Sequence, residues 1–255
     1  MFIVWGKKHV YKKLGYAADF CPLCRDVKTF QLDRVGLASH VYYISIGQGK
    51  LAGYVKKCLH CKTMLNANPD LYREVSKELF DQAALQRTTF PGLQTHYAER
   101  LTLEQTIKHS PGSLQADTRR ALLKEPFLLL NPAVEKRFSS THIDARTGLM
   151  LLAVIVLLPL LMMLVKKFVP AYEDEFMLGL LVAGIGAVSV QGFLQTGRYF
   201  DRKIFPVLVP ALQPLRPTAQ EITAVVTELK KADQKLGKKL KIPVLLERLE
   251  LRPAA

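Results

Sequence analysis

All four cysteines of the 255-residue chain lie near its N-terminus, in two pairs with the same spacing. The pairs are Cys21/Cys24 and Cys58/Cys61. Each Cys-x-x-Cys turn presents two thiolates about one turn apart, so two such turns brought together supply the tetrahedral sulfur shell that Zn²⁺ prefers. We therefore predict that Cys21, Cys24, Cys58 and Cys61 bind one structural zinc ion.

Other uses of these cysteines stay open. A redox dithiol of the thioredoxin type would need one pair beside a βαβ pattern, and no parallel α/β pattern is present. Structural disulfides would need an oxidising compartment, whereas no signal peptide is evident, because the apolar run after Met1 is short and Lys7 and Lys8 follow it. His60 could replace one cysteine as a ligand. Since four thiolates are available, we expect it to be a solvated residue of its turn.

The residues around the cysteine pairs have the composition of β-strands. Two strands, Val41–Ile46 and Leu51–Val55, are predicted around a glycine-rich turn. So small a β-rich segment buries little apolar surface, and a bound metal would stabilise it. Residues 1–66, about a quarter of the chain, resemble the zinc-ribbon family. The resemblance implies a three-stranded antiparallel ribbon in which the four cysteines hold the zinc ion.

Two features depart from the usual ribbon pattern. Residues 25–57 separate the pairs, more than the roughly 15 to 20 residues of the common spacing, which favours an extended hairpin. Arg25 and Lys62 follow the two pairs, at positions where many ribbons have glycine. Together with Lys56 and Lys57, they would offset the net negative charge of four thiolates and one Zn²⁺.

Residues 67–147 are predicted to be helical. Asn68 and Pro69 can start a helix, and apolar residues that recur every fourth position predict that it continues to about Arg87. Two further helices are predicted at 97–110 and 113–126, each ending at a proline-containing segment.

Two polar groups in this region could be mistaken for catalytic sites. His96 and Glu99 share a helical face, but a metal or acid–base site needs more convergent groups. Ser139, His142 and Asp144 are the residue types of a hydrolase triad within one short stretch. Because triads are assembled from distant segments, we interpret this stretch as a polar linker.

The two longest apolar runs, 149–169 and 176–196, are joined by a short charged connector. At a rise of about 1.5 Å per residue, each run is long enough for a bilayer core of about 30 Å. We predict an antiparallel transmembrane hairpin over residues 148–197. The apolar part of each run has no ionisable residue, which favours an anchor rather than a transport pathway. Pro159 leaves a re-entrant hairpin open as an alternative.

Lysines and arginines are concentrated at the outer ends of the hairpin. Two lysines lie in the connector, whereas six basic residues flank the outer ends, so both termini are predicted to be cytoplasmic in an integral plasma-membrane protein. A reducing compartment also agrees with a thiolate zinc site. The six flanking residues are Lys136, Arg137, Arg146, Arg198, Arg202 and Lys203.

Residues 198–255 are predicted to be a proline-rich linker followed by basic amphipathic helices. Four prolines over 206–217 indicate an extended or interfacial segment. Residues 218–221 have capping-box spacing before an apolar stripe of helical period. Six lysines over 230–241 fit either a surface for lipid or an acidic partner, or the solvated face of a packed helix.

The predicted architecture is therefore a multi-domain membrane protein. It has a small antiparallel β zinc ribbon (1–66), an α-helical cytoplasmic region (67–147), a two-helix transmembrane hairpin (148–197) and a C-terminal amphipathic helix (within 198–255). With no catalytic constellation and no small-molecule substrate identified, we interpret it as a non-enzymatic cytoplasmic scaffold or adaptor. Its predicted partners are the lipid bilayer and a protein at the cytoplasmic face.

Net charge supports an alternative function. The chain carries +14, and residues 1–66 contain 11 basic against 3 acidic residues. A basic ribbon with aromatic residues could bind nucleic acid through stacking and phosphate contacts. An enzyme that uses the cysteines for thiol exchange is a third hypothesis. The residues predicted to contact nucleic acid are Lys7, Lys8, Lys12, Lys13, Trp5 and Tyr11.

Overall fold

The structure is a computed structural model that describes residues 5–41, 44–45, 47–139, 145–168 and 173–250. The chain divides into two compact units. The first unit comprises Met1–Leu130, Val207–Val225 and Leu246–Ala255. The second unit comprises Asn131–Pro206 and Val226–Leu245.

An antiparallel sheet begins the first unit. Its strands are β1 (Trp5–Cys21), β2 (Asp26–Val41), β3 (Ile44–Ser45), β4 (Lys50–Cys58) and β5 (Met64–Asn66). The strand order is β1-β2-β4-β5, and the short β3 pairs with β2. The four cysteines thus cluster in an antiparallel sheet, consistent with a zinc ribbon. The short strands β3 and β5 are additions to the three strands that the resemblance implied.

The β1–β2 hairpin has two halves in different environments. In the inner half, residues 16–21 and 26–32, side chains on both faces of β1 are buried from Ala17 to Cys21, whereas β2 alternates buried with partly buried or exposed positions. In the outer half, residues 5–13 and 34–41, exposed positions alternate with more buried ones along β1 from Trp5. The fully or largely buried apolar residues of the inner half are Ala17, Ala18, Phe20, Cys21, Val27, Phe30 and Leu32.

A β-bulge separates the two halves. The pairing of β1 with β2 shifts register between Lys13 and Gly15. Gly15 has φ +157°, and a Cβ built there would lie 2.2 Å from the carbonyl oxygen of Ser76. The next residue, Tyr16, exchanges two backbone hydrogen bonds with Ser76, at 2.7 and 3.0 Å. Only glycine leaves room for this close backbone approach.

The segment that follows the sheet differs from its sequence prediction. In place of one helix to Arg87, it has a 3₁₀ turn at Pro69–Leu71, an extended stretch, and helix α1 (Gln82–Thr89). The backbone groups that a continuous helix would use instead bond elsewhere: Ser76 pairs with Tyr16, and the Arg73 N–H donates to the Thr89 carbonyl at 2.9 Å. Tertiary pairing therefore overrides the four-residue apolar period here.

Three helices follow in the first part of the chain. They are α2 (Leu93–His96), α3 (Ala98–His109) and α4 (Ala116–Ser139). The prediction for α3 is confirmed, but α4 continues through Pro126, where the sequence predicted its end. Buried apolar residues at helical spacing stabilise α4 on both sides of that proline, which offsets the lost backbone hydrogen bond. These residues are Leu122, Leu123, Phe127, Leu130 and Val134.

The predicted membrane hairpin is wrong. The two apolar runs lie on helices α5 (Ala145–Phe168) and α6 (Glu173–Tyr199), which pack against each other in the second unit. Crossing a bilayer takes about 20 consecutive, predominantly apolar residues. Over the part of the chain that the structure describes, no helix combines that length with that apolar character. The membrane-protein fold class and the integral plasma-membrane localisation with cytoplasmic termini are thereby corrected.

The side chains on α5 and α6 are unevenly buried. Leu149, Ile155 and Met163 of α5 are exposed. Ala183 and Gly184 of α6 help to line a cavity of about 250 Å³ against α5. At Gly179 and Gly186 of α6, by contrast, a Cβ would meet no described atom within 4 Å beyond the backbone of its own helix.

The C-terminal part is helical where the sequence predicted an extended linker. A π-helical turn at Phe200–Ile204 leads into α7 (Phe205–Leu212), which contains Pro210, and α8 (Ala219–Lys231), α9 (Lys235–Lys239) and α10 (Ile242–Arg248) follow. Burial of Leu208, Ala211 and Leu212 stabilises α7 despite its proline. The capping box of α8 is confirmed by the two reciprocal hydrogen bonds of Thr218 and Glu221, at 2.7 and 3.2 Å.

Candidate metal centre

Two tight turns, each of which contains one cysteine pair, form the candidate metal centre. We call each of these turns a knuckle. The first knuckle, Cys21–Arg25, connects β1 to β2, with Cys21 opposite Asp26 as the last pair of the hairpin. The second knuckle, Cys58–Lys62, follows β4 and lies beside β2, where the Leu59 N–H donates to the Thr29 carbonyl at 2.9 Å. Strand pairing therefore brings the two cysteine pairs to the same end of the sheet.

Both knuckles turn through a left-handed residue immediately after the second cysteine. Arg25 has φ +53° and Lys62 has φ +61°. These are the positions at which many zinc ribbons have glycine, which adopts this conformation without steric cost. The departure noted in the sequence thus changes the residue type but not the local backbone. In the second knuckle, the Lys62 N–H donates to the Cys58 carbonyl at 3.0 Å and closes the turn.

The four sulfur atoms are arranged as a closed ligand shell. All four Sγ atoms lie within 4.8 Å of one another. The Sγ atoms of Cys21 and Cys61 are 3.8 Å apart, and those of Cys24 and Cys58 are 3.9 Å apart. A tetrahedral zinc ion with Zn–S bonds of about 2.3 Å requires sulfur–sulfur distances of about 3.8 Å. The residues present therefore fit Zn²⁺.

The same distances exclude cystine in this arrangement. A disulfide has an S–S bond of about 2.05 Å, and all four cysteines are free. Cys21 and Cys58 are buried, and Cys24 and Cys61 are half-buried. Each cysteine pair thus places one sulfur toward the protein interior and one toward its edge.

Proton affinities within the cluster also favour a bound cation. Hydrogen bonds with the other three thiols, that of Cys24 first, raise the pKa of Cys21. Hydrogen bonds from Cys21 and Cys24 lower the pKa of Cys58 to about 7, and those from the other three thiols lower the pKa of Cys61. Thiolates this close repel one another, and a divalent cation can replace the shared protons.

Backbone and side-chain donors surround the sulfur atoms. Backbone hydrogen bonds from Thr63 and Cys61 favour the thiolate forms of Cys61 and Cys58, respectively. Lys28 was not singled out by the sequence analysis, yet the charges of Cys24 and Cys58 contribute, after its hydrogen bond with Asp26, to raising its pKa. Lys28 lies on β2, four residues beyond Cys24 in sequence.

Three of the four cations predicted from sequence have partners other than the sulfur atoms. Lys56 contacts the buried Asp19 carboxylate at 2.5 Å, and Lys62 bonds to the carbonyl oxygen of Leu59. Arg25 is buried and turns away from the cysteines: its Nη1 contacts both carboxylate oxygens of Glu104, at 3.2 and 3.1 Å. Its Nε donates to the carbonyl of Ala211 at 2.6 Å. The contacts of Lys56 and Lys62 lie within the ribbon, whereas those of Arg25 connect the ribbon to α3 and α7.

His60 contacts the cluster without being needed as a ligand. Its ring is exposed, and Nδ1 lies 3.4 Å from Cys24 Sγ, within hydrogen-bonding distance of the sulfur. The expectation of a purely solvated residue is therefore incomplete. Since four sulfur atoms already form a tetrahedron, an imidazole in this position supports a sulfur atom from outside the shell.

The other residues flagged in the sequence are His96, Glu99 and the polar stretch from Ser139 to Asp144. His96 packs against the rings of Phe90 and Tyr97, at centroid distances of 5.6 and 4.6 Å, as part of an aromatic cluster. The polar stretch from Ser139 to Asp144 lies, apart from Ser139 itself, outside the described residues.

No protein-family model matches the sequence, and no curated protein or solved structure shows significant similarity to it.

Proposed function

We propose that the protein is a zinc-stabilised binding module that acts as a non-enzymatic scaffold or adaptor. The observation that carries this proposal is the closed sulfur tetrahedron, with its 3.8 and 3.9 Å edges. Catalytic zinc sites keep a coordination position for water or substrate, whereas a shell of four thiolates leaves none. A zinc ion held here would stabilise the ribbon rather than perform chemistry.

The outer half of the β1–β2 hairpin supports a role in binding. Trp5 is 82% exposed and Ile44, on the paired strand β3, is 74% exposed. Tyr11, Leu37 and Val41 are also exposed. Large apolar and aromatic side chains gathered on one exposed region commonly mark an interaction surface, and aromatic residues dominate the energetics of such surfaces.

Metal content tests the first part of the proposal. We expect one zinc ion per chain in the purified protein, measured by elemental analysis, and its loss in Cys58→Ser and Cys61→Ser variants. His60→Ala is the matched control, because it removes a group that contacts Cys24 but should retain the metal. A folded wild-type chain without metal would contradict zinc binding, and metal loss in His60→Ala would reassign the ligand set.

Site-specific cross-linking tests the second part. A photoreactive residue at Tyr11 should cross-link a partner in intact cells, whereas one at the exposed Thr223 of α8 should not. In a variant that carries both the photoreactive residue at Tyr11 and Cys58→Ser, the cross-link should disappear. Equal labelling from both positions would contradict a binding surface on the hairpin.

Nucleic acid is the second candidate partner, and one arrangement favours it. Trp5, Lys7 and Tyr11 lie on the same face of β1, because alternate residues of a strand point the same way. In the register of the sheet, His9 pairs with Leu37, and Leu37 pairs with Lys50. Lysines beside exposed aromatic rings can bind phosphates while bases stack on the rings.

Binding of single-stranded RNA and DNA by the full chain tests this candidate. Fluorescence anisotropy should show an affinity that falls steeply with salt. Trp5→Ala should weaken binding roughly 5- to 150-fold, since stacking on one aromatic side chain contributes about 1–3 kcal/mol. Lys7→Gln combined with Lys50→Gln should weaken binding more than Lys230→Gln combined with Lys231→Gln. Equal effects of the two pairs would indicate attraction by net charge alone.

A further inference from the structure

A second candidate site lies in the second unit, away from the cysteines in sequence. A cavity of about 310 Å³ is lined by Arg137, Gln195, Arg198, Tyr199, Arg202 and Lys203. We name it the basic cavity. Four of its six lining residues are cationic and none is acidic. From this arrangement, we propose that the basic cavity binds a phosphate-bearing small molecule.

Helix geometry gathers these cations. Arg137 lies in the last turn of α4, whereas Arg198 lies in the last turn of α6. Arg202 and Lys203 lie in the π-helical turn Phe200–Ile204 that directly follows α6. Single π-turns within helices occur often at functional sites, because the extra residue re-aims the side chains that follow. Here the turn contributes two of the four cations.

Two of the arginines are held in place by neighbouring groups. Arg198 donates through Nη1 to Gln191 Oε1 at 2.8 Å and through Nη2 to the Gln191 carbonyl at 3.3 Å. The Arg137 guanidinium lies over the ring of Tyr199, 5.7 Å from its centroid. A guanidinium that is oriented in this way is suited to bind phosphate oxygens in a bidentate manner.

Tyr199 forms the wall between these arginines. Its hydroxyl donates to the carbonyl of Ala133 at 3.3 Å, and its ring packs edge-on against Phe138. Burial raises the pKa of Tyr199, against the opposing effect of Arg137, so the phenol remains a neutral donor at physiological pH. Tyr199 therefore contributes an uncharged surface to the wall of the basic cavity.

Three of the four cations lack a carboxylate partner among the described residues. Arg137, Arg202 and Lys203 form no ion pair with a carboxylate in the part of the chain that the structure describes. Asp201 is adjacent in sequence but lines a different cavity. Uncompensated cations gathered around a cavity create a positive potential that attracts anions.

Size and charge narrow the ligand class. Small-molecule sites have volumes of about 300–1,000 Å³, and the basic cavity is at the lower end of this range. Four cations match a ligand with more than one negative charge, such as a diphosphate or a phosphate monoester. The phosphate could be carried by a soluble metabolite or by a lipid headgroup, and the recognising chemistry is the same.

Calorimetric titration of the full chain tests the proposal. The probes are sodium pyrophosphate and short-chain phosphatidic acid below its micelle concentration. Arg202→Gln combined with Lys203→Gln should weaken binding by at least about tenfold, because hydrogen bonds to charged groups contribute about 1.5–3 kcal/mol. Both side chains are exposed, so the fold should persist, as checked by circular dichroism.

The matched control is Lys230→Gln combined with Lys231→Gln, which removes the same charge from exposed positions of α8. This pair should change the affinity less than twofold.

Zinc content is measured after each titration, because pyrophosphate also binds divalent cations. Binding of pyrophosphate that depends on the cavity residues supports a soluble ligand, and binding of phosphatidic acid alone supports a lipid headgroup. No binding of either probe, or equal losses in both double variants, would overturn the proposal.

Discussion

The two halves of the β1–β2 hairpin belong to one antiparallel strand pair but differ in what covers them. The inner half ends at the first knuckle, and its apolar side chains are buried, with Phe30 fully buried. The outer half extends past the bulge at Gly15 and exposes aromatic and apolar side chains. Antiparallel pairing on both sides of the bulge therefore occurs in two environments: burial stabilises the inner half beside the cysteine cluster, and the outer half is left available for contacts.

The largest expected difference between the two halves follows from removal of a predicted metal ligand at the end of the inner half. Cys58→Ser removes a buried sulfur from the tetrahedron, and three ligands cannot close the zinc shell. Because the free energy of structural zinc binding contributes directly to folding, we expect destabilisation by several kcal/mol. Thermal unfolding with and without a zinc chelator measures it. Chelation should lower the melting temperature of the wild type and leave Cys58→Ser unchanged, and an insensitive wild type would contradict a stabilising metal.

Truncating one aromatic residue in each half compares the two environments directly. Phe30→Ala should cost about 3–5 kcal/mol, since it empties a fully buried position. Trp5→Ala should change stability by about 0.5 kcal/mol or less, because Trp5 is 82% exposed. Urea denaturation measures both values. Equal costs would mean that the outer half is buried in solution.

Two glycines with similar backbone angles isolate the role of the bulge. Gly15 and Gly53 have φ +157° and +151°. A Cβ meets the Ser76 carbonyl at 2.2 Å in the first case, whereas nothing described lies within 4 Å of it in the second. Both Ala variants should bear a conformational strain of about 1–3 kcal/mol, and Gly15→Ala should cost more because the Tyr16–Ser76 pairing must also shift. Equal denaturation midpoints for the two variants would contradict this role.

The smallest expected effect concerns alkaline pH. Burial, together with the charge and hydrogen bond of Asp19, raises the pKa of Tyr72 above its ordinary value of 10. A raised pKa means that the folded protein retains this proton while the unfolded chain loses it. The contribution of Tyr72 to the free energy of unfolding should therefore be fully present below pH 10 and decrease as the pH rises above 10. Tyr72→Phe should flatten this decline in urea midpoints between pH 9 and 11, and an unchanged slope would contradict it.

The sequence predicted local features more accurately than long-range ones. The cysteine spacing, the extended hairpin and the capping box at Thr218 depend on neighbouring residues, and all three are present in the structure. The region from Pro69 to Arg87 was mispredicted because its backbone pairs with Tyr16 and Thr89. Prolines at 126 and 210 lie inside helices because apolar burial outweighs their local preference.

At the candidate metal centre, too, local features could be predicted from the sequence and long-range contacts could not. The clustering of its four cysteines could be predicted from spacing alone, because a Cys-x-x-Cys turn depends on neighbouring residues. The partners of Arg25 could not, since Glu104 and Ala211 lie 79 and 186 residues away in sequence. The apolar runs on α5 and α6 were assigned to a membrane because hydrophobicity alone does not state what covers a helix. In the structure the two helices pack against each other and leave several of these apolar side chains exposed, which composition does not predict.

The position of Arg25 has a consequence for the order of events during synthesis on the ribosome. All four cysteines have emerged once Cys61 has been made, so the sulfur cluster can form early. The guanidinium beside it then remains hydrated until α3 delivers the Glu104 carboxylate, and it acquires the Ala211 carbonyl only after most of the chain has been made. Burying this cation before both partners are present would be costly. The first knuckle can thus form at the start of translation, but its surroundings can be completed only near the end.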